Sequence, residues 1–115
     1  MSEPLEYIRA CAVSDLPDDG VIGIDINGQP VAIVRTEGEV FALEDVCSHA
    51  DECLSEGDVN GYDIECAAHG SRFDVRTGKV CRFPARKPVR IYPVRIEGHD
   101  VLVSLAPRTS LITQE

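Results

Sequence analysis

The chain has no tryptophan and a single methionine, and aromatic residues make up only 5% of its 115 positions. Hydrophobic residues still make up 43% of the chain, enough for a modest apolar core. No apolar run approaches the roughly 20 residues that span a bilayer. The start, Met1-Ser2-Glu3-Pro4-Leu5-Glu6, lacks the basic residues and apolar stretch of a secretory leader. A cytoplasmic protein with no membrane partner is therefore expected. Basic residues are scarce in the first half: positions 1–60 hold 2 Arg/Lys against 14 Asp/Glu, a net of −12. Positions 61–115 hold 9 against 6, a net of +3, and the whole chain carries −9. So acidic a molecule repels nucleic acid, which excludes that partner class. Hydrophobic content of 43% and charged content of 27% are those of a globular protein, and the length fits one domain.

Helical periodicity is also missing. Instead, short apolar runs alternate with turn residues. Leu5 to Val13 reads as a strand, followed by a turn-rich connection in which Ser14 or Asp15 caps a single helical turn. Val21–Ile26 and Val31–Arg35 flank Asn27-Gly28, a hairpin signal because both residues tolerate positive φ. Glu37-Gly38 turns the chain into Val40–Leu43. Val89–Ile96 then meets Val101–Leu105 across Gly98-His99-Asp100, and Pro93 marks an edge position or a bulge. Between these strands, residues 44–88 show little alternation and many turn residues. A loop region that long inside a compact domain needs something to organise it. The expected architecture is all-β, an antiparallel sandwich or barrel-like base with a loop-rich insertion and a C-terminal tail over 107–115.

The insertion holds four of the five cysteines and two of the three histidines. Cys47-Ser48-His49 and Cys66-Ala67-Ala68-His69 stand 16 residues apart, each pairing a soft thiolate with an imidazole. Two thiolates and two imidazoles suit either tetrahedral zinc or an iron–sulfur cluster. The residues after the second pair discriminate better. Cys66 to Asp74, reading Cys-Ala-Ala-His-Gly-Ser-Arg-Phe-Asp, resembles the second cluster-binding box of Rieske [2Fe–2S] proteins. Cys47-Ser48-His49-Ala50, followed by Leu54-Ser55-Glu56-Gly57, resembles the first box. Phe83-Pro84-Ala85 and Pro88, ahead of the strand containing Tyr92-Pro93-Val94-Arg95, are similar to the proline-containing loop that covers the cluster. The resemblance is strongest to the small Rieske-type ferredoxins that serve non-haem iron oxygenases, and it spans nearly the whole chain.

That resemblance implies a single Rieske domain over 1–115, its cluster-binding insertion at about 44–88, and one [2Fe–2S] cluster. It implies that Cys47 and Cys66 hold the inner iron while His49 and His69 hold the outer one. Two neutral imidazoles leave the cluster less negative than four thiolates would, so it accepts an electron more readily than a plant-type centre. High-potential respiratory relatives donate hydrogen bonds to the cluster from a serine two residues after the second histidine and a tyrosine two further on. Ser71 fills the first position here, while Phe73 fills the second without a hydroxyl. The same relatives bridge their two loops with a disulfide, but the second-box cysteine position is Ala68, and Cys53 lies one residue off the first-box position. A low-to-intermediate potential, below the respiratory type, is the expectation.

The resemblance implies an electron carrier, not an enzyme, with no catalytic residue. A flavin-dependent ferredoxin reductase would supply the electron and a terminal oxygenase would receive it, the carrier acting as a monomer. A Rieske oxygenase would need a further iron held by two histidines and a carboxylate, and only His99 remains. A nitrite-reductase small subunit typically lacks the ligands that are present here. A regulatory or assembly-associated Rieske protein stays open as the alternative. Cys11 is expected in the core, with Cys53 and Cys81 as bystanders and His99 as a solvated turn residue. Asp51, Glu52, Glu56 and Asp58 form either a docking surface or a solvated loop. The basic residues from Arg72 to Arg90 offer the opposite sign, serving either docking or structural salt bridges.

Overall fold

The computed structural model describes residues 6–46, 53–67, 70–82 and 87–105. Its centre is an antiparallel sheet of β2 (Gly20–Ile26), β3 (Gln29–Thr36), β4 (Glu39–Glu44) and β9 (Ile91–Tyr92), in that order. Two-residue turns set its register. Asn27 and Gly28 both take positive φ, 52° and 86°, which matches the twist of the strands they join. Ile26 consequently faces Gln29, and the Asp25 carboxylate accepts the Gly28 N–H at 2.8 Å. Glu37 and Gly38 repeat the device at φ 54° and 75°, placing Thr36 opposite Glu39. Around Gly28 there is open space, so Gly28→Ala tests the backbone alone. Urea unfolding should show a loss of about 1 kcal/mol, the cost of a left-handed conformation for a residue with a Cβ.

Why β3 reads as an unbroken apolar run follows from its position. Val31, Ala32, Ile33 and Val34 are all fully buried because both faces of the central sheet are covered. Val31 and Ile33 pack with Cys11, Val101 and Val103 of a second sheet, formed by β1 (Ile8–Ala12), β11 (Asp100–Val103) and β10 (Val94–Glu97). Ala32 and Val34 face the other way, toward Leu54, Ile64, Phe73 and Val89.

Three expectations are sharpened. The helical turn after β1 exists as a 3-10 turn over Val13–Asp15, but Asp15 caps it from within, accepting the Ala12 N–H at 3.0 Å. Pro93 does not sit inside one strand. It separates β9 in the central sheet from β10 in the second, and its carbonyl accepts the Ser104 N–H at 3.1 Å. The middle of the chain is also more regular than its pattern suggests. It folds into a third antiparallel sheet, β5 (Asp58–Asn60), β6 (Asp63–Glu65), β7 (Arg72–Asp74) and β8 (Val80–Arg82). Strands of three residues are too short for alternation to register as a pattern. The buried Thr36 hydroxyl fastens this sheet to the base by donating to the Gly61 carbonyl at 2.6 Å. The tail over 107–115 lies outside the described residues.

Candidate metal centre

The third sheet and the central sheet enclose one apolar cluster, and every segment singled out in the sequence sends an anchor into it. Leu54 comes from the chain after the first box, Cys66 and Phe73 from the second box, and Val89 from the chain after the proline-containing stretch. Leu54 and Phe73 are fully buried, Cys66 is 1% exposed and Val89 2%. These four anchors set where the intervening segments leave the base.

Two connections are held by backbone hydrogen bonds. Between β6 and β7, the Cys66 N–H donates to the Ser71 carbonyl at 2.7 Å, and the Gly70 N–H donates to the Cys66 carbonyl at 3.0 Å. Cys66 and Ser71 are thereby brought side by side, both buried. Farther on, the Val89 N–H donates to the Gly78 carbonyl at 2.9 Å, fixing the ends of the stretch that carries Phe83, Pro84 and Ala85. Gly78 takes φ of 80°, and a Cβ there would run into the Val89 carbonyl, so both conformation and space require glycine.

The structure thus places Cys66 and Ser71 together. Cys47, His49, His69 and Ala68 lie outside the described residues, as do Asp51, Glu52 and residues 83–86. Of the thiols outside the two boxes, Cys11 is placed as anticipated. Cys11 is 6% exposed in the core, and burial raises its pKa. Cys53 and Cys81 are exposed thiols with no disulfide between them. His99 is exposed at its hairpin turn, where its carbonyl accepts the Val13 N–H at 2.8 Å.

Cross-strand register organises the charges in a way the linear sequence does not display. Asp58 faces Glu65, Glu65 faces Arg72, and Arg72 faces Arg82, so one row crosses the third sheet in the order acid, acid, base, base. The middle pair is neutralised: Arg72 reaches Glu65 Oε1 at 3.1 Å through Nε and 3.0 Å through Nη2. Asp58 and Arg82 remain exposed at the two ends. Beside this row, the Arg76 guanidinium forks onto Asp74 at 3.1 and 2.8 Å and lies over the Tyr62 ring at 4.1 Å. The Arg76 side chain holds the Asp74 carboxyl below its ordinary pKa. Asp63, Asp74 and Cys81 bring one donor atom each within 4.8 Å of one another. Burial first, then the negative charge of Asp63, raises the Cys81 pKa, so this thiol is a poor nucleophile.

A β scaffold that gathers separate segments over one apolar floor, and that buries Cys66 and Ser71 on backbone-paired positions, is compatible with a metal-cluster carrier. A buried sulfur donor and a buried serine suit an iron–sulfur group, whose sulfides accept hydrogen bonds. The family model for the Rieske [2Fe-2S] domain matches residues 6–93, and the chain belongs to that family. It is 41% identical over 103 residues to the biphenyl dioxygenase ferredoxin subunit of Pseudomonas sp. (strain KKS102), covering 89% of this chain and 94% of that one. Among solved structures, it matches the ferredoxin of carbazole 1,9a-dioxygenase from Nocardioides aromaticivorans IC177 with a TM-score of 0.82 and 35% identity, covering 85% and 96%. It also matches a chain in a complex of reduced oxygenase and oxidised ferredoxin of carbazole 1,9a-dioxygenase, with a TM-score of 0.81, 32% identity and coverage of 85% and 92%. The protein is a Rieske-type ferredoxin, an electron carrier whose cofactor is one [2Fe–2S] cluster with Cys2His2 ligation.

Proposed function

We propose that this ferredoxin takes single electrons from a flavin-dependent ferredoxin reductase and delivers them to a terminal non-haem iron oxygenase, catalysing no reaction of its own. The observation that carries the reading is the match to a ferredoxin solved in complex with its oxygenase. Curated relatives named as dioxygenase ferredoxin components support it. Cys47 and Cys66 hold the inner iron, and His49 and His69 the outer one. When bound, the cluster supplies a one-electron couple. The protein's own residues determine where and how easily the electron rests. Burial of Cys66 keeps water from its sulfur, and Ser71 lies two residues beyond His69 with its side chain in the same interior. With His49 and His69 assigned to the cluster, the remaining histidine is exposed His99, so an oxygenase's second iron has no histidine pair. We place it as a monomer in the cytoplasm; among the described cysteines no disulfide is formed, which suits a reducing compartment.

The test mixes dithionite-reduced protein with the terminal oxygenases of biphenyl, naphthalene and carbazole dioxygenase systems in a stopped-flow instrument. Reoxidation by at least one oxygenase, and NADH-driven product formation when its reductase is added, is the expected result. If the protein stays reduced beside all three, the reading is overturned. The exposed ends of the charged row predict one feature more. Transfer rates should fall as salt rises from about 0.05 to about 0.5 M, because contacts between exposed charges are screened. A flat profile would assign the row to structure alone.

A further inference from the structure

Asp45, directly after β4, is 4% exposed and carries a carboxylate that no cation among the described residues neutralises. Its two oxygens are both taken by one residue. The Ser55 backbone N–H donates to Oδ1 at 2.7 Å, and the Ser55 hydroxyl donates to Oδ2 at 2.6 Å. Ser55 lies in the 3-10 turn Leu54–Glu56, beside fully buried Leu54. On the other side, the Asp45 N–H donates to the Pro30 carbonyl at 3.1 Å, tying the arrangement to β3. Among the described residues, one amide and one hydroxyl of a single serine satisfy both oxygens of this buried side chain.

A second, independent observation comes from β2. Gly23 lies in the strand interior opposite Ala32, where glycine contributes nothing to packing. A Cβ at Gly23 would fall 2.5 Å from Ser55 Oγ, 2.7 Å from Asp45 Oδ2 and 3.0 Å from Ser55 Cβ. Three elements therefore meet at one point that tolerates no added atom. Asp45 and Ser55 are also the residues that flank the first box in sequence, with Cys47 and His49 between them.

We propose that Asp45, Ser55 and Gly23 form a clasp that positions the first box, so that Cys47 and His49 meet iron from chain ends already held together. All three are positioning residues, acting through the ligands and not on the iron. This rests on the assignment of Cys47 and His49 as ligands. The clasp governs how long the cluster is retained, because a ligand that has let go is returned to the same place before iron escapes.

The decisive variants are Ser55→Ala, which keeps the carboxylate charge and removes one bond, and Gly23→Ala, which pries the pair apart from the opposite strand. Ser55→Thr restores the hydroxyl. Iron loss to an excess of a ferrous chelator would be timed in the purified holoprotein, alongside EPR of the reduced sample and thermal melting of the apo-protein. Ser55→Ala and Gly23→Ala should each lose iron about tenfold to hundredfold faster, the range for residues that orient metal ligands. Their reduced EPR lines should broaden while the apo-protein melts change little, and Ser55→Thr should behave as the unmodified protein. The Gly23→Ala/Ser55→Ala double variant should lose iron no faster than the worse single one, because both break one device. Normal iron retention in both single variants overturns the clasp, as does faster loss that merely tracks a lower apo-protein melt. No Rieske signal in the unmodified protein overturns the ligand assignment, and the clasp with it.

Discussion

Dithionite-reduced Cys66→Ala protein is expected to show no Rieske-type EPR signal, while Cys53→Ala and Cys81→Ala keep the signal of the unmodified chain. The contrast follows from placement. Cys66 is buried at the end of β6, beside Ser71 and in one apolar cluster with Phe73, Leu54 and Val89, the anchors of the other segments. Under the proposed assignment, alanine there removes one of the four ligands that Rieske-type ligation needs. Cys53 and Cys81 are exposed, and Cys81 stands on β8 beside Asp63 and Asp74, on the carboxylate-rich face of the third sheet. Losing either should leave iron content untouched. His69→Ala should match Cys66→Ala, because one imidazole fewer removes the cluster or its Rieske character. The unmodified protein, in turn, should give an average g clearly below that of all-cysteine clusters. A silent, zinc-loaded sample of it would end the assignment, and a full signal from Cys66→Ala would move the ligand elsewhere.

How legible these features were depends on the distance over which each is encoded. Asn27-Gly28 and Glu37-Gly38 act within two residues, so their turns could be read directly, and with them the register of β2, β3 and β4. The two boxes were legible as chemistry, since few other purposes bring thiols and imidazoles together at such spacing. The third sheet was not, because β5 to β8 are three residues each and owe their existence to pairing and to Ile64 and Phe73 at their buried face. The sign split between the halves could be counted, but the row from Asp58 to Arg82 exists only once four strands are aligned. Asp45 was invisible for a related reason. An aspartate ten positions from a serine has no signature, and the glycine that makes room for them sits on another strand. Pro93 was read as an edge position or a bulge in one strand, when it is the point where the chain changes sheets.

Phe73→Tyr should raise the reduction potential. Position 73 lies in β7, fully buried, and its ring shares the apolar cluster with Cys66. A phenol placed there brings a hydroxyl into the interior that the Cys66 sulfur also occupies. Hydrogen bonds to charged acceptors are worth about 1.5 to 3 kcal/mol, and they favour the reduced, more negative state over the oxidised one. If roughly 1 to 2 kcal/mol of that is differential between the two states, the shift is about 45 to 90 mV for a one-electron couple. The unmodified protein, with Ser71 but no phenol, should titrate below respiratory Rieske proteins, and the variant should move toward them. A bonded hydroxyl leaves thermal stability near that of the parent. A hydroxyl that reaches no acceptor instead costs about 1 to 3 kcal/mol of folding energy and leaves the potential where it was. Redox titration and a melting curve on the same sample separate the two, and a lowered melt with an unmoved potential would remove position 73 from the control of the cluster.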